Sequence, residues 1–232
     1  MSKKFKGKQC AYCGAAKATT QDHVFPRELF LPGHRANLPQ APACRACNGL
    51  KSEYEHYATT ILPFGGRHRS ARPNLEQMVP KRLRRNNRLA TSVCEGSGEV
   101  WVKEASGLIL STLAIPVDAA RLTELFRYIA KGLIWHHWRA YLSPGDETKV
   151  LFPTSAGLRF LESHIFGLEG RRVARDFGDG TVRYYGVQSP DAPQRTVWRL
   201  SVYGGITFAD PGAGGGTSST VFVSTHPREF AA

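Results

Sequence analysis

Two Cys-x-x-Cys turns, Cys10-Ala11-Tyr12-Cys13 and Cys44-Arg45-Ala46-Cys47, lie 30 residues apart and constrain this chain more than any other feature. One such pair alone also suits a redox motif. Two pairs read as a four-thiolate zinc site, because each short turn presents two sulfurs to one tetrahedral ion. That reading assumes a reducing compartment, where disulfides are disfavoured. Behind the lysines of MSKKFKGKQC there is no apolar segment of the kind a secretory signal needs, so a cytoplasmic address is expected. The fifth cysteine, Cys94, stands apart as a core or surface residue.

The charge is lopsided. Residues 1–90 hold 17 Lys/Arg and 5 Asp/Glu, whereas residues 91–232 hold 14 of each, so the whole net charge of +12 sits in the first 90 residues. A basic half joined to a neutral half points to a polyanionic partner. A content of 41% apolar and 22% charged residues over 232 positions excludes wholesale disorder and allows one large domain or two small ones. No apolar run approaches the roughly 18 residues of a membrane span, so no membrane partner is expected.

Within the loop closed by the cysteines, residues 18–26 read as a short strand ending at Pro26, with Asp22 and His23 in its middle and on opposite faces. After Cys47 the spacing of Leu50, Tyr54, Tyr57 and Ile61 predicts a helix with one apolar stripe, and Asn48 falls in its first turn. The chemistry of these side chains suits phosphodiester hydrolysis. The imidazole of His23 is a general base near neutral pH. Asp22 and Asn48 offer hard oxygen ligands for a single Mg²⁺ or Mn²⁺, the rest of whose shell is water and a phosphate oxygen. Lys51, one turn beyond Asn48, is a candidate phosphate contact, with a solvated lysine as the other reading.

The order Cys10, Cys13, Asp22-His23, Pro26, Asn37-Leu38, Cys44, Cys47-Asn48, Lys51 resembles the zinc-stapled HNH endonucleases, over about residues 8–62. Asn48 stands where the family name implies histidine. The resemblance implies a ββα-metal finger, a role for Asn37 in holding the loop and orienting His23, and cleavage leaving a 5′-phosphate and a 3′-hydroxyl. DNA is the expected substrate, with RNA the less favoured one, in a restriction, phage-defence or mobile-element setting. A zinc-stapled nucleic-acid-binding protein that does not cleave is the alternative.

Residues 63–88 carry eight basic side chains, Arg67, Arg69, Arg72, Lys81, Arg82, Arg84, Arg85 and Arg88, against Glu76 alone. They read as an arm or helix tracking a phosphate backbone, since guanidinium groups fork onto phosphate oxygens. The remainder reads as a separate α+β module. It comprises a hairpin turning at 105–107, a helix from Asp118 through Leu142 and a second helix over 155–166. Strands follow near 171–177, 181–188, 195–203 and 219–225, with a flexible linker over 211–220. His136 and His137, neighbours on a helix, are read as packing or surface residues. The expected architecture is therefore α+β: a finger over 1–62, a basic arm over 63–90, and an accessory module with an antiparallel sheet over 91–232. That module would pack against the nuclease, recognise a target, or mediate assembly with a protein partner or by self-association, and the sequence does not choose among these.

Overall fold

The short loop of the first Cys-x-x-Cys turn leads straight into an antiparallel hairpin, which a helix then closes. In the computed structural model, which describes residues 5, 7–66, 68–103, 107–205 and 220–228, β1 is Thr20–His23 and β2 is Gln40–Ala43. Thr20 pairs with Ala43 and His23 with Gln40. Strand β1 is shorter than expected because the chain leaves it for a 3-10 turn at Arg27–Leu29 behind Pro26. Strand β2 contains Pro42, whose carbonyl accepts from Ala11 N–H (2.9 Å) and so ties the cysteine turn to the hairpin.

Helix α1, Arg45–Gly65, starts immediately behind Cys44, which serves as its N-cap. The expected apolar stripe is rotated. Tyr57 and Ile61 are buried, but Leu50 is 44% exposed, and Lys51 takes the inward position. Pro63 lies inside the last turns. Having no N–H, it leaves Thr59 O without its helical donor.

The basic segment folds. Helices α2 (Ala71–Gln77) and α3 (Val79–Arg85) are followed by α4 (Asn87–Gly96), whose N-cap Asn86 accepts from Leu89 N–H at 3.0 Å. Strands β3 (Gly98–Lys103) and β4 (Ile109–Ala114) form the expected hairpin, whose loop at 104–106 lies outside the described residues. Helix α5, Ala119–Trp138, is capped by Asp118 as the sequence implies. It ends four residues before Leu142 because Arg139 adopts a left-handed backbone (φ 55°).

After β5 (Glu147–Leu151) and α6 (Ser155–Ile165), strands β6 (Arg171–Phe177), β7 (Val182–Gln188), β8 (Thr196–Val202) and β9 (Thr220–His226) complete an antiparallel sheet ordered β5-β9-β8-β7-β6. Tyr184, Trp198, Leu200 and Val223 on one face enter the main core, whereas Val187 and Phe222 on the other join a smaller cluster with Ile165 of α6. The stretch expected as a linker lies, up to residue 219, outside the described residues.

Mixed helix and antiparallel sheet are therefore observed, but the three-part division does not follow the packing. Helix α1 runs through residue 62, and one core joins Tyr12, Val24 and Phe25 to Leu125, Ile129 and Leu133 of α5 and to the large sheet. Gly132 marks one close approach, since a Cβ there would lie 2.9 Å from the Val24 side chain. The intervening segment is fastened on both sides. Asn74 Nδ2 donates to Leu29 O (3.1 Å), and Ser70 Oγ lies 2.9 Å from Thr181 Oγ1. Among the described residues no helix is long and apolar enough to cross a membrane.

Candidate metal centre and adjoining histidine site

The Sγ atoms of Cys10, Cys13, Cys44 and Cys47 all lie within 4.8 Å of one another. A tetrahedral zinc with Zn–S bonds of about 2.3 Å needs sulfurs about 3.8 Å apart, so the four fit one ion with little adjustment. Their surroundings favour anionic sulfur at Cys13 and oppose it at Cys10 and Cys47. Burial works against the Cys13 thiolate, but the amides of Ala15 and Ala16 and the neighbouring thiols outweigh it and bring its pKa down to about 7. Burial and three neighbouring sulfurs push Cys47 up instead, the mutual repulsion that a cation relieves. Gly14, at φ 64°, turns the first knuckle, and a Cβ there would collide with the Leu142 carbonyl oxygen. The C-terminal half therefore packs directly on the cysteine turn. Cys94 is exposed and apart, as its sequence position suggests.

Asp22 and His23 point to opposite sides of β1. Asp22 is buried. Its Oδ2 accepts from the Tyr12 hydroxyl and lies 2.9 Å from Lys51 Nζ. The same ammonium group donates to His23 O (2.7 Å) and pairs with Glu55. Lys51, expected near phosphate, is completely buried and acts as a bolt between α1 and β1. Burial raises the Glu55 carboxyl, and the Lys51 cation works against that shift.

The His23 imidazole is half-buried, and the Gln40 side-chain amide sits 3.3 Å from its Nε2. Burial, then the nearby Arg27 cation, lowers its pKa against the opposing pull of Asp22. Asn37 is exposed, with a left-handed backbone (φ 56°). Gln40, rather than Asn37, contacts the ring, so the orienting role implied for Asn37 is not what this geometry displays. Asn48 stands half-buried on the first turn of α1, its N–H bonded to Cys44 O at 3.0 Å.

For a catalytic cation the donor set is lean. Among the described residues no hydrogen bond reaches Asp22 Oδ1, so Asp22 offers one oxygen and Asn48 an amide oxygen. Two donors suit an ion that keeps most of its waters, as Mg²⁺ does.

Gln40 has no signal in the sequence, and of the histidine pair expected to pack or lie at the surface, one reaches Gln40 and the other bonds to the large sheet. His136 Nδ1 lies 3.2 Å from Gln40 O, and His137 Nε2 lies 2.8 Å from the Tyr184 hydroxyl. The Asp-His dipeptide marks one strand, but the partner strand is proline- and alanine-rich and carries no comparable signal.

The basic residues divide by role. Arg82 is buried, donating to Thr59 O (2.6 Å) and Glu28 O (3.1 Å) and pairing with Glu28 Oε2 (3.0 Å), which removes it from any nucleic-acid surface. Arg69 pairs with Asp179 and Arg72 with Glu76. Lys81, Arg84, Arg85 and Arg88 are exposed, without a carboxylate partner among the described residues. Arg67 lies outside the described residues.

Compared with protein-family models, curated proteins and solved structures, the chain matches none. Its residues and their geometry therefore carry the functional reading.

Proposed function

We propose that this protein is a metal-dependent endonuclease of the HNH type that hydrolyses DNA phosphodiesters, on a ββα-metal finger held by structural zinc. The observation that carries this reading is a β-β-α unit closed by four adjacent sulfurs, with His23 on its first strand beside a fixed side-chain amide. The amide of Gln40 holds His23 Nε2. Its nitrogen lies 3.3 Å from that ring atom and fixes the orientation of the imidazole, whose lone pair is the acceptor for a proton from water. The lowered pKa keeps that ring neutral and able to accept. Asp22 Oδ1 and the Asn48 amide oxygen would hold a Mg²⁺ or Mn²⁺ ion, which when bound supplies electrophilic stabilisation of the phosphate. Lys51 anchors Asp22 and the His23 backbone so that both keep their places.

The second reading, a zinc-stapled nucleic-acid-binding protein that does not cleave, is favoured by one observation: Lys51 and Tyr12 already engage the Asp22 carboxylate. Plasmid incubated with and without added Mg²⁺ or Mn²⁺, beside His23→Ala, separates the two. Metal-dependent cuts absent from the variant support the nuclease. Bound but uncut plasmid with correctly folded, zinc-loaded protein supports the binding protein. Preferential cutting of labelled RNA would reassign the substrate.

A further inference from the structure

Among the described residues no side chain of the β3–β4 hairpin belongs to either hydrophobic cluster, and the two strands lie outside the five-stranded sheet. A two-stranded ribbon is marginal in water on its own. Its register places Trp101 opposite Ser111 and Glu99 opposite Leu113, with Ile109 on the same face two positions from Ser111. Trp101 is 70% exposed, Ile109 61% and Leu113 63%, which makes this face an apolar patch. Glu99 is fixed on that face by the Ser111 hydroxyl. The outer edge of β3 has no strand partner among the described residues, so it offers a row of backbone donors and acceptors.

The segment Glu99-Val100-Trp101-Val102-Lys103 reads the same in both directions except that its end charges are opposite. Antiparallel pairing about a two-fold axis through Trp101 would set Trp101 against its own copy and Val100 against Val102. It would also set Glu99 against Lys103 twice, so charges are matched at both ends. Parallel in-register pairing would instead oppose like charges. A two-fold interface of this kind is isologous, each patch serving as its own complement.

We propose that β3 is a homodimerisation edge. Two copies join along it into a four-stranded β4-β3-β3-β4 sheet, whose one face carries Trp101, Ile109 and Leu113 from both. Nucleic acid fits this face poorly, because Glu99 sits on it and the exposed cations of the basic segment that lack a carboxylate partner among the described residues lie on α3 and at the start of α4. The proposal stands independently of the histidine site.

Sedimentation velocity of the full-length, zinc-loaded protein across the micromolar range tests it. The wild type should sediment as a dimer, and Glu99→Lys and Lys103→Glu should each halve the mass. The Glu99→Lys/Lys103→Glu double variant should restore the dimer. Trp101→Asp should be monomeric with unchanged circular dichroism and zinc content. A wild type that stays monomeric throughout overturns the proposal, as do single charge variants or a Trp101→Asp variant that remain dimeric. A monomeric wild type whose DNA affinity falls in Trp101→Asp overturns it too, and hands the face to nucleic acid.

Discussion

Arg82 shows how a residue that looks functional in sequence becomes structural in space. Pro63 deprives Thr59 O of its helical donor, and the Arg82 guanidinium takes the vacant place while binding Glu28 through backbone and side chain. Leaving that buried carbonyl unpaired, and the Glu28 carboxylate to Arg35 alone, should cost Arg82→Ala about 2–4 kcal/mol, whereas exposed Arg85→Ala should stay within about 0.5 kcal/mol. Urea unfolding of the two variants checks this, and equal losses would contradict the assignment. Neither role is readable from the run of arginines, because composition does not tell which one faces a proline-broken helix end. The same holds for Leu50 and Lys51: hydropathy puts the leucine inside, but two carboxylates and a backbone carbonyl pull the lysine in. His137 makes a prediction at the same scale. Burial, followed by the positive neighbours His136, Arg175 and Arg139, lowers its pKa to about 4. An unfolded histidine takes up its proton near pH 6.5. Between those values the unfolded chain binds more protons, so stability falls as pH drops from about 6.5 to 4. Because the ring is partly solvated, the loss should be about 1–2 kcal/mol. His137→Gln keeps a partner for Tyr184 and removes the titration. The wild type should therefore lose that much more than the variant between pH 7 and pH 5.

Elements with strong local signals were legible in the sequence. The Asp118 cap, the turn at Gly178-Asp179-Gly180 and the alternation of β7 and β8 all announce themselves through capping chemistry and period. Strand β2 was hidden, because Gln40-Ala41-Pro42-Ala43 has neither β-branched residues nor alternation, and a proline argues against a strand. Only pairing with β1 and the bond from Ala11 hold it. Strand β5 was missed in a similar way, being short and partly exposed. The basic segment was legible as charge but not as architecture: it became three helices, with Lys81, Arg84 and Arg85 at helical spacing on α3 and Arg88 at the start of α4. Of the basic segment's cations, these four are the exposed ones without a carboxylate partner among the described residues. Each phosphate contact contributes about 0.9 to the slope of log affinity against log salt, so replacing all four with alanine should lower the slope of DNA binding by up to about 3.6. Fluorescence anisotropy at several salt concentrations measures it. An unchanged slope would place the DNA on another surface.

The zinc staple and the C-terminal half depend on each other at the level of the whole molecule. Leu142 O closes against Gly14 in the first knuckle, Val24 packs on Gly132 of α5, and the rings of Tyr12 and Tyr128 lie 5.1 Å apart. Phe25 meets Tyr184 of the large sheet, with ring centroids 5.6 Å apart. A fragment comprising residues 1–90 would expose all of these apolar surfaces at once. Burying a side chain of this size contributes about 1.5–3 kcal/mol, so losing several such contacts consumes most of the 5–15 kcal/mol that stabilises an ordinary domain. The 1–90 fragment should therefore fail to give a dispersed amide spectrum even with zinc, although its four cysteines are intact. Conversely, Cys44→Ser should lower the stability of the entire chain, because structural zinc contributes on the order of 10 kcal/mol to such sites. Tryptophan fluorescence should report that loss from Trp198, far along the sequence in β8, in the same transition that releases zinc. Two separate transitions, with the sheet surviving zinc loss, would mean that the shared core is thermodynamically divisible at the boundary the charge pattern suggests.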